Sequence, residues 1–191
     1  MGETPTRENA WALLTEYTDN PSLIKHALGV EAAMRAYARS YGEDEDMWAT
    51  IGLIHDFDYQ QNPTEETHLH VGTGILRERG WPEEWVRIVA SHADYMGVPR
   101  DSRAAKVLFA VDELSGFLTA CALVRPDRAI AEVKVKSVKK KLKDKAFARG
   151  VNRDDVRNGV EELGVDLGEH IEFVRDAMAT ISDQLELPPP E

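Results

Sequence analysis

Cysteine is almost absent from this chain of 191 residues, which contains a single one, Cys121. One cysteine cannot build an intrachain disulfide framework and fits a reducing compartment, so we expect a cytoplasmic protein. No apolar run approaches the ~20 residues of a membrane span, and the N-terminus lacks a basic, apolar signal segment. Period-two alternation bounded by turn residues is also missing. These absences argue against a disulfide-rich secreted fold, a membrane association and a β-sheet.

Positive charge is scarce as well, because 34 aspartate and glutamate residues outnumber 23 lysine and arginine residues, which gives a formal net charge of −11. This balance argues against general nucleic-acid binding. Hydrophobic residues make up 42% of the chain, enough for one sizeable core. Their helical spacing predicts an all-α bundle, a fold class in which metal sites are built from side chains on facing helices.

Capping residues and prolines mark the starts of the predicted helices, and glycines mark several ends. The predicted helices run from Thr4–Pro5 to about Tyr17, from Pro21 to Tyr41, from Glu45 to Ile54, from Glu65 to Arg79, from Pro82 through His92, from Asp101 or Ser102 to about Val124, from Asn152 or Asp154 to Leu163, and from Asp166 to Leu185. We assign residues 1–125 to a core, 126–187 to a helical extension and 188–191 to an extended tail. The extension could either pack on the core or support a homodimer. We interpret His170, which lies in the extension, as a structural residue.

A histidine and an aspartate, His55 and Asp56, stand side by side at the end of an apolar run. Adjacent residues on a helix point about 100° apart, so both can meet one ligand only where the helix ends or unwinds. A metal ion would satisfy both groups at once. Taken alone, the dipeptide fits better with an ordinary helix end at which an aspartate follows a histidine.

The other histidines favour the metal, since five of the six lie in the first half of the chain. His26, His68 and His92 each have apolar neighbours at helical spacing and should point inward. One inward histidine is usually a satisfied core residue, but several on separate helices indicate a shared metal. Asp112 interrupts another apolar run, where a carboxylate is costly unless it is paired or coordinated.

In this order, His26, His55–Asp56 and Asp112 resemble the HD superfamily of metal-dependent phosphohydrolases, which is named after the dipeptide. His68, four residues before Gly72, and His92 are similar to the two extra histidines of dinuclear members, in which the motif aspartate bridges two metals. The resemblance covers roughly residues 20–125, and the stretch beyond looks like that of small bacterial HD proteins without an assigned substrate.

The resemblance implies two metal positions that share Asp56. His26, His55, Asp56 and Asp112 would hold one divalent ion, and Asp56 with His68 and His92 would hold a second. Nitrogen and oxygen ligands without thiolates suit Fe, Mn, Co, Ni, Zn or Mg. Such an ion lowers the pKa of its water and neutralises a phosphoryl group.

One departure from the family pattern follows the dipeptide. Many members read His-Asp-Ile-Gly-Lys, whereas this chain continues with Phe57, Asp58 and Tyr59. In the family the lysine can contact the substrate, so its absence here affects the prediction of substrate class more than the prediction of metal binding. We predict Asp56 and Asp58 as catalytic residues, with Asp58 orienting water or accepting its proton. A solvent-exposed carboxylate at a helix end is the alternative interpretation of Asp58.

Lysines crowd residues 134–145 of this otherwise acidic chain. We predict that Arg125, Lys134 and Lys136 bind an anionic, phosphorylated substrate, because cationic groups offset the general repulsion. A solvated helix face is the alternative. His70, two residues from His68, faces another side and contacts either substrate or solvent.

Together these patterns predict metal-dependent hydrolysis of a phosphate mono- or diester, carried by a nucleotide or a small anionic metabolite. Two alternatives stay open. One is a mixed-valent di-iron oxygenase of the same superfamily, and the other is a non-catalytic module that binds metal or nucleotide.

Overall fold

Helices account for all the regular secondary structure in residues 4–188, the part of the chain that this computed structural model describes. Ten are α-helices: α1 Arg7–Tyr17, α2 Pro21–Tyr41, α3 Glu45–Ile54, α4 His70–Glu78, α5 Glu83–Ser91, α6 Arg103–Leu123, α7 Val135–Leu142, α8 Arg153–Leu163, α9 Leu167–Ala179 and α10 Ser182–Leu185. Two short 3-10 helices, Asp94–Met96 and Ile130–Glu132, connect them. The predicted all-α class is confirmed. Most of the predicted extended tail lies outside the described residues.

Side-chain caps explain where several helices begin and end. Asn20 accepts a hydrogen bond from the backbone of Ser22 at the start of α2, and α2 ends at Gly42, whose φ of 70° suits a glycine. Of the two caps predicted for α6, Asp101 and Ser102, it is Ser102 that accepts a hydrogen bond from the backbone, at Ala105. The start predicted for the first helix is too early. Thr6 forms a reciprocal capping box with the third residue of α1, so the helix begins at Arg7.

Two predicted helices are wrong in extent because non-helical residues interrupt them. The helix predicted from Glu65 begins only at His70, since Leu69 has a φ of 61° and cannot continue a right-handed helix. The helix predicted over residues 166–185 is divided into α9 and α10. Ile181 between them has φ −120° and ψ 24°, which lies outside the helical region.

The longest helices, α2 and α6, pack against each other and carry most of the remaining elements. Helix α3 lies closely on α2, where a side chain at Gly52 would meet the Val30 carbonyl oxygen at 3.1 Å. Helix α5 packs on both α6 and α3. The C-terminal end of α3 is thereby held next to the first turns of α2 and the middle of α6.

The residues after Arg125 contribute helices to the same core. Helix α8 packs along α6, and α9 contacts both α2 and α6. His170 on α9 is fully buried; its Nε2 donates to the Ala110 carbonyl at 2.8 Å, and Tyr37 donates to its Nδ1 at 2.5 Å. Burial lowers the pKa of His170, which keeps this ring neutral. Its predicted structural role is confirmed.

Within residues 4–188, no helix is at once long and apolar enough to cross a bilayer.

Candidate metal centre

Side chains with metal-binding atoms converge where α2, α3 and α6 pack together. They come from the first turns of α2, the turn after α3, the residues next to α4 and α5, and the middle of α6, and they are His26, His55, Asp56, His68, His92 and Asp112. Six ligand-type residues separated by up to 86 positions in the chain thus lie in two adjoining groups.

The first group consists of His26, His55, Asp56 and Asp112, and one ligand atom of each lies within 4.8 Å of the others. His26 Nε2 is 3.0 Å from Asp112 Oδ1, and His55 Nε2 is 3.3 Å from the same oxygen. His55 Nε2 is also 3.5 Å from Asp56 Oδ2. These four side chains could surround one ion.

The second group consists of Asp56, His68 and His92. Asp56 Oδ1 is 3.1 Å from His68 Nε2 and 3.2 Å from His92 Nε2, while its Oδ2 faces the first group. The two oxygens of one carboxylate therefore point into two adjacent ligand sets. A carboxylate placed in this way could bridge two ions.

The end of α3 is what allows His55 and Asp56 to face the same place. Helix α3 stops at Ile54. His55 still has helical dihedral angles, φ −55° and ψ −36°, but residues 55–60 form turns, so the helix does not continue past the dipeptide. After these turns the chain comes back to the cluster, and His68 lies there, two residues before α4 begins. The prediction that the helix must end at the dipeptide is confirmed.

Backbone carbonyls orient the imidazole rings of His55 and His92 through their Nδ1 atoms. His55 Nδ1 donates to the Gly52 carbonyl at 2.8 Å, and His92 Nδ1 donates to the Val89 carbonyl at 2.6 Å. A carbonyl can only accept, so the Nε2 atoms are the ones available to the cluster, as is usual for metal-binding histidines. His55 Nε2 is fully buried and has no hydrogen-bond partner within residues 4–188. An orphaned, oriented nitrogen among carboxylates fits a divalent metal.

Opposite charges in the cluster shift the pKa values of its members. Burial opposes ionisation of Asp56, but the neighbouring His55, His68 and His92 outweigh it and hold the pKa of Asp56 well below its usual range. Burial likewise opposes the charged form of His68, yet hydrogen bonds to Asp56 and Asp58 raise its pKa to about 9. Protons on these imidazoles occupy the sites that a metal ion would take, so metal binding would release them.

Asp58 has a place that neither sequence interpretation anticipated. Its side chain is fully buried rather than solvent-exposed, and it lies behind His68, where Oδ1 accepts from His68 Nδ1 at 3.0 Å. Its Oδ2 accepts from the backbone N–H groups of Leu69 at 3.2 Å and Gly72 at 3.1 Å. A carboxylate with these contacts orients a histidine, and it is not among the residues that line the cleft described next.

A cleft of about 620 Å³ opens over the cluster. Asp56, Asp112, His68 and His92 line its floor, and the walls add four further carboxylates, those of Glu65, Asp94, Glu113 and Asp155. Burial, together with the charges of Asp112 and Asp155, raises the pKa of Glu113 to about 7. No lysine or arginine is among the described residues of the lining. The negative charge of the walls was not predicted, because Asp155 reads as an ordinary acidic residue in the first turn of α8.

Arg100 supports the segment that follows His92. It donates to the Ser91 carbonyl and to Asp94 Oδ1, each at 2.8 Å, and it forms a two-pronged ion pair with Glu162 on α8. Its guanidinium lies 3.7 Å from the ring centroid of Phe109, which lines the cleft. Arg100 therefore links α5, the cleft wall and α8.

The predicted substrate-binding residues are not brought to the cluster. Arg125 stands thirteen positions beyond Asp112, about 20 Å along the helix direction, and it pairs with Asp127 at 2.7 Å. Lys134 and Lys136 are exposed at the start of α7 and do not border the cleft. His70 is exposed on α4 and is not among the residues that line the cleft, although its ring centroid lies 6.3 Å from that of Tyr95, which does line it.

Comparison with known proteins agrees with this geometry. A family model described as HD domain matches residues 23–116, a range that contains all six clustered side chains. No curated protein and no solved structure gives a significant match. HD-domain proteins bind divalent metals through histidine and aspartate side chains, and the two groups found here could hold such ions. Residues 23–116 are therefore an HD domain, and the protein is a member of the HD superfamily.

Proposed function

We propose that this protein is a metal-dependent phosphohydrolase that cleaves a phosphate mono- or diester of a small metabolite or nucleotide. The observation that carries the proposal is the position of Asp56, whose two oxygens face separate ligand groups at the floor of an open cleft. Its side chain keeps 23% exposure, so a substrate can reach the point that both groups share.

Each clustered residue has a role in this proposal. His26, His55, Asp56 and Asp112 would hold an inner ion, and Asp56, His68 and His92 would hold an outer ion, so Asp56 is the residue that both groups share. The bound ions would supply positive charge for the phosphoryl oxygens and lower the pKa of water at the site. The hydrogen bonds at Nδ1 of His55 and His92 keep the rings in place during turnover, so the site needs little reorganisation.

The charge of the cleft restricts the substrate. Because the described lining offers carboxylates and no lysine or arginine, the ions themselves would have to attract the phosphate group. The part of the substrate that lies against the walls would meet Glu113, Asp155 and Asp94. We infer that this part is neutral or cationic, and that polyanionic nucleotides are poor substrates.

A panel of phosphate esters tests the proposal. The purified chain, loaded in turn with Mn, Co, Ni, Mg or Fe, should release phosphate from a monoester with an uncharged or amino-bearing leaving group faster than from a nucleoside triphosphate. Asp56→Asn should abolish turnover, whereas Asp46→Asn, an exposed carboxylate distant from the cluster, should not. If none of these metals supports release from any ester, the hydrolase proposal is wrong.

The di-iron oxygenase remains the second candidate, because the outer position combines two histidines with a shared carboxylate. Two tightly held irons with substrate-dependent oxygen consumption, and no phosphate release, would favour it. Metal binding with neither activity would favour the non-catalytic module.

A further inference from the structure

The buried carboxylate of Asp58 is surrounded by donors. Its side chain has no solvent exposure, and three hydrogen bonds reach it from His68, Leu69 and Gly72. A buried carboxylate is tolerated only when such donors replace its water. All three donors belong to the short segment that delivers His68 and begins α4, so Asp58 holds that segment as one unit.

Helix α4 depends on Asp58 for its first turn. Its N-cap, Leu69, has no capping side chain and a φ of 61°, a conformation that non-glycine residues rarely adopt. Asp58 Oδ2 instead accepts the N–H groups of Leu69 and Gly72, the N-cap and the third residue of the helix. A carboxylate from another part of the chain thus does what a capping side chain does elsewhere.

Gly72 leaves room for this contact. A β-carbon there would lie 2.7 Å from both Cγ and Oδ1 of Asp58, far inside ordinary contact distance. The glycine four residues after His68 therefore has a physical reason, which is the approach of the Asp58 carboxylate. Asp58 stands where many members of the resembled family have a glycine, which has no carboxylate to make these contacts.

We propose that Asp58 is a positioning residue that sets the metal affinity of the outer position through His68. This proposal rests on the proposed function in one respect, namely that His68 and His92 hold a second ion. By accepting from His68 Nδ1, Asp58 fixes the ring tautomer whose Nε2 lone pair faces Asp56. Asp58 itself does not contact the substrate.

Asp58→Asn is the most informative variant. Its amide oxygen can still accept the backbone N–H groups of α4, so the fold is kept. Its NH₂ group can replace the oxygen that faces His68 Nδ1, and that nitrogen would then have to accept. The hydrogen of a neutral His68 would then favour Nε2, and a metal could bind that atom only after the hydrogen had left it and the hydrogen bond at Nδ1 had been lost. The loss of a hydrogen bond behind a metal ligand typically weakens binding about 10–100-fold.

The experiment measures Mn²⁺ binding to the full chain by calorimetry and metal analysis. The wild type should bind two equivalents, His68→Ala one, and Asp58→Asn two, with the weaker site loosened about 10–100-fold and the tighter one unchanged. In the double variant, Asp58→Asn should have no effect beyond that of His68→Ala, because Asp58 acts through the ring. Gly72→Ala, which displaces the carboxylate without removing it, should loosen the same site, and Asp127→Asn serves as the matched surface control.

The outcomes separate this proposal from the one it rests on. If His68→Ala still binds two equivalents, the outer position itself is wrong, and the role of Asp58 is rejected with it. If His68→Ala loses one equivalent while Asp58→Asn and Gly72→Ala bind both ions as the wild type does, only the role of Asp58 is wrong. Equal weakening of both sites by Asp58→Asn would indicate a general structural effect and would also reject it.

Discussion

The close packing of α8 on α6 predicts how much stability the variant Gly159→Ala should lose. Gly159 on α8 is buried, and a β-carbon there would lie 2.7 Å from the Cα of Ala110 and 3.3 Å from its backbone nitrogen. Ordinary contact begins near 3.4 Å. The backbone of α6 cannot turn aside as a side chain can, so Gly159→Ala must push α8 outward by about 0.7 Å or more.

Two effects on stability oppose each other in this variant. Alanine in place of glycine within a helix stabilises by about 0.8–1 kcal/mol, whereas overpacking costs about 1–3 kcal/mol. Gly74 on α4 is the matched control, because a β-carbon there meets nothing within 4 Å. The propensity gain is common to both variants, so their difference isolates the overpacking cost.

Thermal unfolding of the metal-free variants measures that difference. For a chain of this size, 1 kcal/mol moves Tm by about 2–4 °C, so Gly159→Ala should melt roughly 2–12 °C below Gly74→Ala. Since α8 carries Asn152 and Asp155 at the cleft, Gly159→Ala should also raise KM more than it changes metal content. Equal melting temperatures for the two variants would refute the close packing of α8 on α6.

Three further predictions concern the cluster and its surroundings. His26→Ala and His92→Ala should each remove one equivalent of Mn²⁺ and leave the other, by metal analysis; loss of both from either variant would argue against separate positions. His68 has a pKa of about 9 in the folded protein against an ordinary 6.5, so its contribution to the stability of the metal-free protein is complete below about pH 6.5 and is lost as the pH rises to about 9. Urea unfolding across that window should show falling stability in the wild type and a shallower fall in His68→Ala. Arg125→Ala should have the kinetics of the wild type, because the structure pairs Arg125 with Asp127 away from the cluster; a roughly ten-fold loss of kcat/KM would restore it as a substrate contact.

Much of the fold could be predicted because its signals are local. Asn20–Pro21 and Gly42 bound α2 through chemistry that acts within a few residues, and so does Ser102 at the start of α6. The break at Leu69 could not be predicted in this way. Leucine has no preference for a positive φ, and the conformation is held by the hydrogen bond that the Leu69 N–H donates to Asp58, eleven residues earlier.

For the candidate site, too, features that are local in the sequence could be predicted, and features that depend on tertiary contacts could not. Inward-facing histidines and a carboxylate in an apolar run can be recognised singly, and their order matches a known pattern. The structure brings those six residues together, although their role as ligands stays a prediction. What surrounds them depends on tertiary packing. Glu113 comes to border the cleft beside Asp155 only because α8 lies along α6, and no spacing in the sequence relates those two residues.

The ion pair between Arg100 and Glu162 has a consequence for modularity. The HD-domain match ends at residue 116, but Arg100 inside that range is anchored on α8 outside it. The same guanidinium holds the carbonyl of Ser91, the residue before His92. The structural unit that holds the cluster is therefore larger than the segment that matches the family. Grafting residues 23–116 onto another scaffold would transfer every proposed ligand, but Arg100, which holds the Ser91 carbonyl, would lose its anchor on Glu162.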